Sequence, residues 1–185
     1  MIIGLTGKNA SGKGVTAEYL KQKGFVYFSL SDELREEAKE RGIEPIRENL
    51  IKLGNELREK FGPGYLASRI NKKIAESNDE NFVVDSIRSP GEIYELRKNS
   101  NFMLLGIDAP VELRFDRAVS RGRHGDAKTL HEFIEMEERE NFNKSSNQQL
   151  DRCLQMADRI VSNDGHLDRL HERIDSLVSG EKEDE

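Results

Sequence analysis

A chain of 185 residues with 35% charged side chains and a net charge of −6 is long enough to bury one core, and its acidic balance argues against broad nucleic-acid binding. No apolar run approaches the roughly 20 residues that span a bilayer, the first residues lack the basic-then-apolar pattern of a secretory leader, and one cysteine, Cys153, allows neither an internal disulfide nor a cysteine-built metal site. A cytoplasmic protein with one domain over residues 1–178 is the expectation, followed by a disordered acidic tail at 179–185.

The apolar start Met1-Ile2-Ile3-Gly4-Leu5-Thr6 predicts a short buried strand over about 2–6. Gly7-Lys8-Asn9-Ala10-Ser11-Gly12-Lys13-Gly14 follows. A helical pattern then begins, with Val15, Tyr19 and Leu20 on one face and Glu18, Lys21 and Lys23 pointing away. Strand, glycine-rich loop and helix are the context of a phosphate-binding loop. Glycines let backbone N–H groups approach an anion, and the helix offers unpaired N–H groups and the positive end of its dipole. Lys13 adds a full charge that reaches the β- and γ-phosphates. Gly7 to Val15 are therefore candidate nucleotide-binding residues, and Lys13 is also a candidate catalytic one. The general pattern ends in Lys-Ser or Lys-Thr, whose hydroxyl helps hold Mg²⁺. Here Gly14 stands in that place. At about 100° per residue, Thr16 lies roughly 200° around the helix and is a poor substitute.

Gly24 ends this helix, and Phe25 to Leu30 reads as a buried strand. Ser31 or Asp32 can cap the next helix. Asp32 and Arg35 also sit at the C-terminal end of the second strand, the edge where open α/β sheets bind ligands. From Pro45 to Phe61, the residues Ile46, Leu50, Leu53, Leu57 and Phe61 mark one buried helical face. Gly62-Pro63-Gly64 stops that helix, and another over about Tyr65 to Ser77 carries Leu66, Ile70 and Ile74 inward. Residues of about 31–80 thus form a helical wall for an acceptor, with Arg47, Arg58 and Arg69 as candidates to hold its phosphate.

Phe82-Val83-Val84-Asp85 describes a buried strand that delivers a carboxylate beside the loop, where it can hold Mg²⁺ directly or through water. Arg88 places a cation just past the strand end, and Ser89-Pro90 opens a helix. Phe102 to Ile107 is a fourth strand. The helix from Asp108-Ala109-Pro110 carries Arg114, Arg117 and Arg121 on one face and runs into Gly122-Arg123-His124-Gly125-Asp126. An arginine-rich lid over about 117–128 can close on the phosphates, exclude water and spread transition-state charge. Arg121 is thereby a candidate catalytic residue, and Arg117 and Arg123 are candidate nucleotide contacts. Thr129 to Asn141 is an acidic helix with Leu130, Phe133, Ile134 and Met136 inward. A polar loop, a short helix at 148–156, a strand at 158–162 and a helix at 166–178 with Leu167, Leu170 and Ile174 inward complete the chain. Five strands separated by helices describe an α/β protein with a parallel sheet covered on both faces. The four histidines show no zinc-helix spacing.

The loop Gly7–Gly14, the segments Ser31–Arg35 and Phe82–Arg88, the arginines 117, 121 and 123, and the stretch Ala157 to Gly165 together carry a resemblance. The chain resembles P-loop kinases of the nucleoside-monophosphate kinase and dephospho-coenzyme-A kinase group, to about residue 178. It is also similar to small archaeal and bacterial kinase-like proteins of unsettled substrate, and to kinase-like domains fused to deoxycytidylate deaminases. One cysteine cannot supply the deaminase zinc site. The resemblance implies a P-loop NTPase three-layer sandwich with strand order 2-3-1-4-5, a moving lid, ATP and Mg²⁺ as cofactors, and adenine contacts partly from the 163–165 turn.

Three functions follow. The first is transfer of the γ-phosphoryl group of ATP to a nucleoside or deoxynucleoside monophosphate. Lys13 and the lid arginines hold the donor, Asp85 the metal, and Asp32, Arg35, Arg69 and Arg88 the acceptor. The second is a dephospho-coenzyme-A kinase, in which Asp32 is general base to a 3′-hydroxyl. The third is a non-catalytic nucleotide sensor that regulates a partner, suggested by Gly14. The partner of the chain is then a small nucleotide, not a membrane, and the chain is a monomer or homodimer.

Overall fold

The computed structural model describes residues 1–122, 127–140 and 149–179. Five strands, β1 (Ile2–Thr6), β2 (Val26–Ser29), β3 (Phe82–Ile87), β4 (Phe102–Asp108) and β5 (Arg159–Ser162), form one parallel sheet in the order β2-β3-β1-β4-β5. Between them run α1 (Lys13–Gln22), α2 (Leu30–Glu40), α3 (Arg47–Phe61), α4 (Tyr65–Glu76), α5 (Pro90–Leu96), α6 (Val111–Arg121), α7 (Leu130–Glu140), α8 (Leu150–Gln155) and α9 (Leu167–Ser179). β1 lies at the centre, with Ile3 level with Val83 on one side and Met103 on the other.

Strand alternation divides the core between two faces. Ile2, Val84 and Leu104 join Leu34, Leu57, Leu66, Ile70 and Ile93 beneath α2 to α5. Ile3, Leu5, Val83 and Leu105 join Ala17, Leu20, Leu170 and Ile174 beneath α1 and α9. A third, small cluster of Ala118, Ala127 and Phe133 lies between α6 and α7 and packs on Ala10 of the loop after β1.

Several expectations are corrected in detail. On α1 the buried face is Thr16 with Ala17 and Leu20, one and four residues further on, while Val15 is exposed. Ser29 caps α2, its Oγ accepting from Ser31 N, so Ser31 and Asp32 lie inside the first turn. On α3, Leu53 and Leu57 are buried, but the ends Ile46 and Phe61 reach solvent, and Phe61 stacks on Tyr65. Leu167 is likewise exposed at the start of α9. β3 does not stop at Asp85 but continues to Ile87 through a register shift, with Ser86 at φ +66°. The tail at 180–185 lies outside the described residues.

One buried ion pair sets the chain direction past β3. Arg58 on α3 is 5% exposed and Glu92 on α5 is fully buried. Glu92 Oε1 accepts from Arg58 Nε at 3.1 Å and Nη2 at 2.9 Å, while Oε2 accepts from Arg88 N at 2.8 Å and Ser89 N at 3.0 Å. Ser89 Oγ accepts from Glu92 N, completing a capping box. A buried carboxylate satisfied on both oxygens is tolerated where an unpaired one is not. Arg58 is therefore committed to holding α3 against α5 and to aiming the backbone at Arg88, not to an acceptor phosphate.

Candidate phosphate site

The C-terminal ends of β1, β3 and β4 converge on the loop Gly7–Gly12 and the first turn of α1. Gly7 has φ +147°, and a Cβ there would lie 2.2 Å from Ile107 O at the end of β4. Gly12 has φ +113°, and a Cβ there would lie 2.1 Å from Asn163 Nδ2. Only glycine fits either position. The loop is held by its carbonyls. Lys13 Nζ donates to Gly7 O at 2.7 Å and Lys8 O at 2.8 Å, Asn163 Nδ2 donates to Ser11 O at 2.8 Å, and Arg114 Nη1 donates to Asn9 O at 3.3 Å.

Lys13 is partly buried, and its amine is lowered to about 8. Burial is the main cause and the charge of Arg88 the next, with Asp85 acting in the opposite sense. Asp85 itself is buried. Its Oδ1 accepts from Ser86 N at 2.5 Å and its Oδ2 from Tyr27 OH at 3.4 Å. Burial, and then the negative charge of Asp85, pushes the Tyr27 phenol up to about 12, so it stays a donor. Arg114 and Glu137 also act on Lys13 through their charges, in opposite senses and less strongly.

The remaining sequence candidates are distributed around this centre. Arg121 Nη2 donates to Asn9 Oδ1 at 3.4 Å. Arg117 Nη2 donates to Asn163 O at 3.0 Å, while its Nη1 is buried with no hydrogen-bond partner among the described residues. That burial lowers the proton affinity of Arg117. Arg123 and the rest of the turn to Asp126 lie outside the described residues. Lys8 pairs with Asp151 at 2.9 Å. Asp32 and Arg35 pair with each other at 2.7 Å, half-exposed, in the first turns of α2. Arg69 is drawn to α2 by Glu33 at 2.8 Å and Glu37 at 3.0 Å, so it lies in an ion-pair network of the helical wall. Ser11 Oγ and Thr16 Oγ1 are buried and unpartnered among the described residues. Gly14 is open, with no heavy atom within 4 Å of where a Cβ would stand.

Two residues of the site, Tyr27 and Glu137, were not foreseen as working parts, and two others, Asn163 and Arg114, support the loop backbone where a nucleotide contact and a lid arginine were expected. Tyr27 reaches Asp85 because β2 pairs with β3 in the register Tyr27–Val83 and Ser29–Asp85, which strand alternation alone does not specify. Asn163 is supplied by the turn after β5 and meets the loop from 152 residues away in sequence. Arg114 faces inward to the loop backbone, and Glu137 on α7 pairs with it. The pattern of an acidic helix hid Glu137 among its neighbours.

Comparison with known proteins fits this geometry. The family described as AAA domain matches residues 6–135. A UPF0200 protein of Pyrococcus abyssi is 34% identical over 184 residues, covering 96% of this chain and 95% of that one. A UPF0200 protein of Pyrococcus furiosus is 35% identical over 185 residues, covering 97% and 96%. Among solved structures, shikimate kinase from Acinetobacter baumannii in complex with shikimate superposes with a TM-score of 0.59 at 13% identity, over 99% of this chain and 95% of that one. A Thermus thermophilus protein gives 0.64 at 19% identity, over 98% of each. The fold is that of the P-loop kinases. Among the described residues no helix is long and apolar enough to cross a membrane.

Proposed function

We propose a reaction for a chain that belongs to the AAA domain family and to the UPF0200 family: it transfers the γ-phosphoryl group of ATP to a nucleoside monophosphate. The observation that carries this reading is the loop whose Gly7 and Gly12 admit no side chain and which ends in Lys13 at the positive end of α1, with the buried carboxylate of Asp85 delivered by β3, the strand paired to β1. Phosphoryl transfer to an anionic acceptor needs positioning and charge neutralisation more than proton abstraction. Lys13 binds the β- and γ-phosphates. Arg117 and Arg121 on α6 are the donor-side arginines of the lid at about 117–128, and Arg123, outside the described residues, is assigned with them. Arg35, Arg69, Arg88 and Asp32 on the acceptor side hold the monophosphate against the wall of about 31–80. Reaching it requires Arg35 and Arg69 to exchange carboxylate partners for phosphate.

Asp85 fits Mg²⁺, being a buried, hard oxygen donor whose orientation is held by Ser86 N and Tyr27 OH. Such an ion is bound by one or two carboxylates and by substrate phosphates while it keeps several waters. When bound it would neutralise charge on the β- and γ-phosphates. The loop hydroxyl that usually assists is absent at Gly14, but the space for it is open. Gly14→Ser is expected to fold normally and to tighten Mg²⁺-dependent ATP binding severalfold, read by titrating Mg²⁺ against bound nucleotide. An unchanged Mg²⁺ requirement would show that a hydroxyl at this position cannot reach the ion.

A second reading, transfer to a hydroxyl such as the 3′-hydroxyl of dephospho-coenzyme A, is supported by Asp32. Asp32 stands in the first turn of α2, which follows directly on β2, whose last residue Ser29 is level with Asp85 on β3. The test is ADP release with Mg²⁺ and ATP against all ribo- and deoxynucleoside monophosphates and dephospho-coenzyme A. Release with a monophosphate supports the first reading. Release with dephospho-coenzyme A that Asp32→Asn abolishes supports the second. ATP binding with no release against any acceptor favours a regulatory nucleotide sensor. A cytoplasmic location agrees with all three.

A further inference from the structure

Arg114 is buried on α6, and its guanidinium is engaged through Nε and Nη1. Nε donates to Ala109 O at 2.9 Å, and Nη1 donates both to Asn9 O at 3.3 Å and to a carboxylate oxygen of Glu137 on α7. Phe133, one turn before Glu137, places its ring 5.7 Å from the same guanidinium. Glu137 and Phe133 also line a narrow cleft with Asn9, Arg47 and Met136. One cation therefore joins three elements: its own helix, the phosphate loop and α7.

The consequence lies in the peptide between Asn9 and Ala10. A trans peptide is planar, so its C=O and N–H point in opposite directions. Drawing Asn9 O outward to Arg114 turns the Ala10 N–H inward, to the concave side of the loop. Ala10 pays for that orientation with φ +58°, an uncommon conformation for a residue with a Cβ. It persists because the carbonyl is pinned on one side and the Ala10 methyl packs against the α6–α7 cluster on the other. Arg114 in turn is a buried cation, and Glu137 supplies its countercharge. Removing the carboxylate frees the guanidinium to seek another anion and leaves Asn9 O without a steady donor.

We propose that Arg114 and Glu137 are a positioning pair for the phosphate loop: they aim the Ala10 amide at the nucleotide, and they make its affinity depend on how α7 is seated. This rests on the reading that the loop binds nucleotide phosphates. Asn163 performs the matching service for the Gly12 amide through Ser11 O, which provides an internal reference.

The test uses the full-length, ¹⁵N-labelled chain. ATP is added to the wild type, to Glu137→Gln and to Arg114→Lys, and the amide resonances of Ala10 and Gly12 are followed alongside the ATP dissociation constant. Arg114→Lys keeps the charge beside Glu137 but cannot span Ala109 O and Asn9 O together, and it carries the same readout if Glu137→Gln fails to fold. The expected result is roughly a tenfold or greater loss of affinity in each variant. The ATP-induced shift at Ala10 is lost, while the shift at Gly12 is kept. His131→Ala, on the exposed side of α7, leaves both unchanged. Retention of both shifts in folded variants overturns the inference alone. Loss of both together also overturns it, since that marks general loosening of the loop. A wild type that shows no ATP-induced shift overturns the inference and the proposed function together.

Discussion

Lys13→Ala is expected to lower acceptor-dependent ADP release by about a thousandfold. It removes a cation placed for the β- and γ-phosphates and also the clamp on two loop carbonyls, Gly7 O and Lys8 O. ATP affinity should fall with turnover, because the loop loses its shape in the ground state as well. A variant that keeps turnover within tenfold of wild type would show that another cation neutralises the transferred group. The lowered amine adds a pH signature. Below about 8 the free protein carries the ammonium form, and ATP affinity should be flat. Above it, affinity should fall by up to tenfold per pH unit as the proton is lost. Stability of the free protein runs the other way. Between about 8 and the ordinary 10.5 the unfolded chain binds more protons at this group than the folded one, so stability rises with pH across that window. Isothermal titration and thermal melting from pH 7 to 10 separate the two trends. Flat binding over this range would remove Lys13 from the phosphate site.

Asp85→Asn is the second large effect. Asparagine keeps the shape of the side chain and can still accept from Ser86 N or Tyr27 OH, so the fold should be unaffected. What disappears is the charge. The expected outcome is a 10- to 100-fold weaker Mg²⁺ requirement curve and a turnover about a hundredfold or more below wild type at physiological Mg²⁺. Binding of ATP measured without Mg²⁺ should stay within a few fold, because the phosphate contacts come from the loop. Equal losses with and without the ion would instead identify Asp85 as a structural partner of Lys13. Tyr27→Phe offers a graded version: it removes one weak donor to the carboxylate and leaves the charge in place.

The sheet, its helices and the phosphate loop were legible in the sequence because each is a local pattern. Apolar runs mark β1, which Gly7 ends, and β2, which Gly24 precedes, and the Ser89-Pro90 pair announces the start of α5. Errors gathered where an element's end meets solvent. Ile46, Phe61 and Leu167 follow the helical period, yet they stand at helix ends and are exposed. The site was legible in its charges but not in its supports. Lys13, Asp85 and Arg88 announce themselves by spacing. Tyr27, Asn163 and Glu137 act through pairings set by the register of β2 on β3, the position of β5 at the sheet edge and the packing of α7. The pairings leave no local trace, although the resemblance already points to the 163–165 turn as a nucleotide contact. Arg58 shows the converse. Arginine content suggested phosphate recognition, but Glu92 binds this side chain between α3 and α5.

Asn163 occupies the volume that any side chain at position 12 would fill, and it bonds the carbonyl just before. The ribosome makes Gly12 early and Asn163 some 151 residues later. During synthesis the loop therefore emerges long before its last support. A nascent chain stopped short of residue 163 can form most of the central sheet, yet it leaves Ser11 O unpinned. Nucleotide capture by a growing chain should begin only after β5 and the turn behind it have cleared the exit tunnel, so that the first motif translated is among the last to become competent.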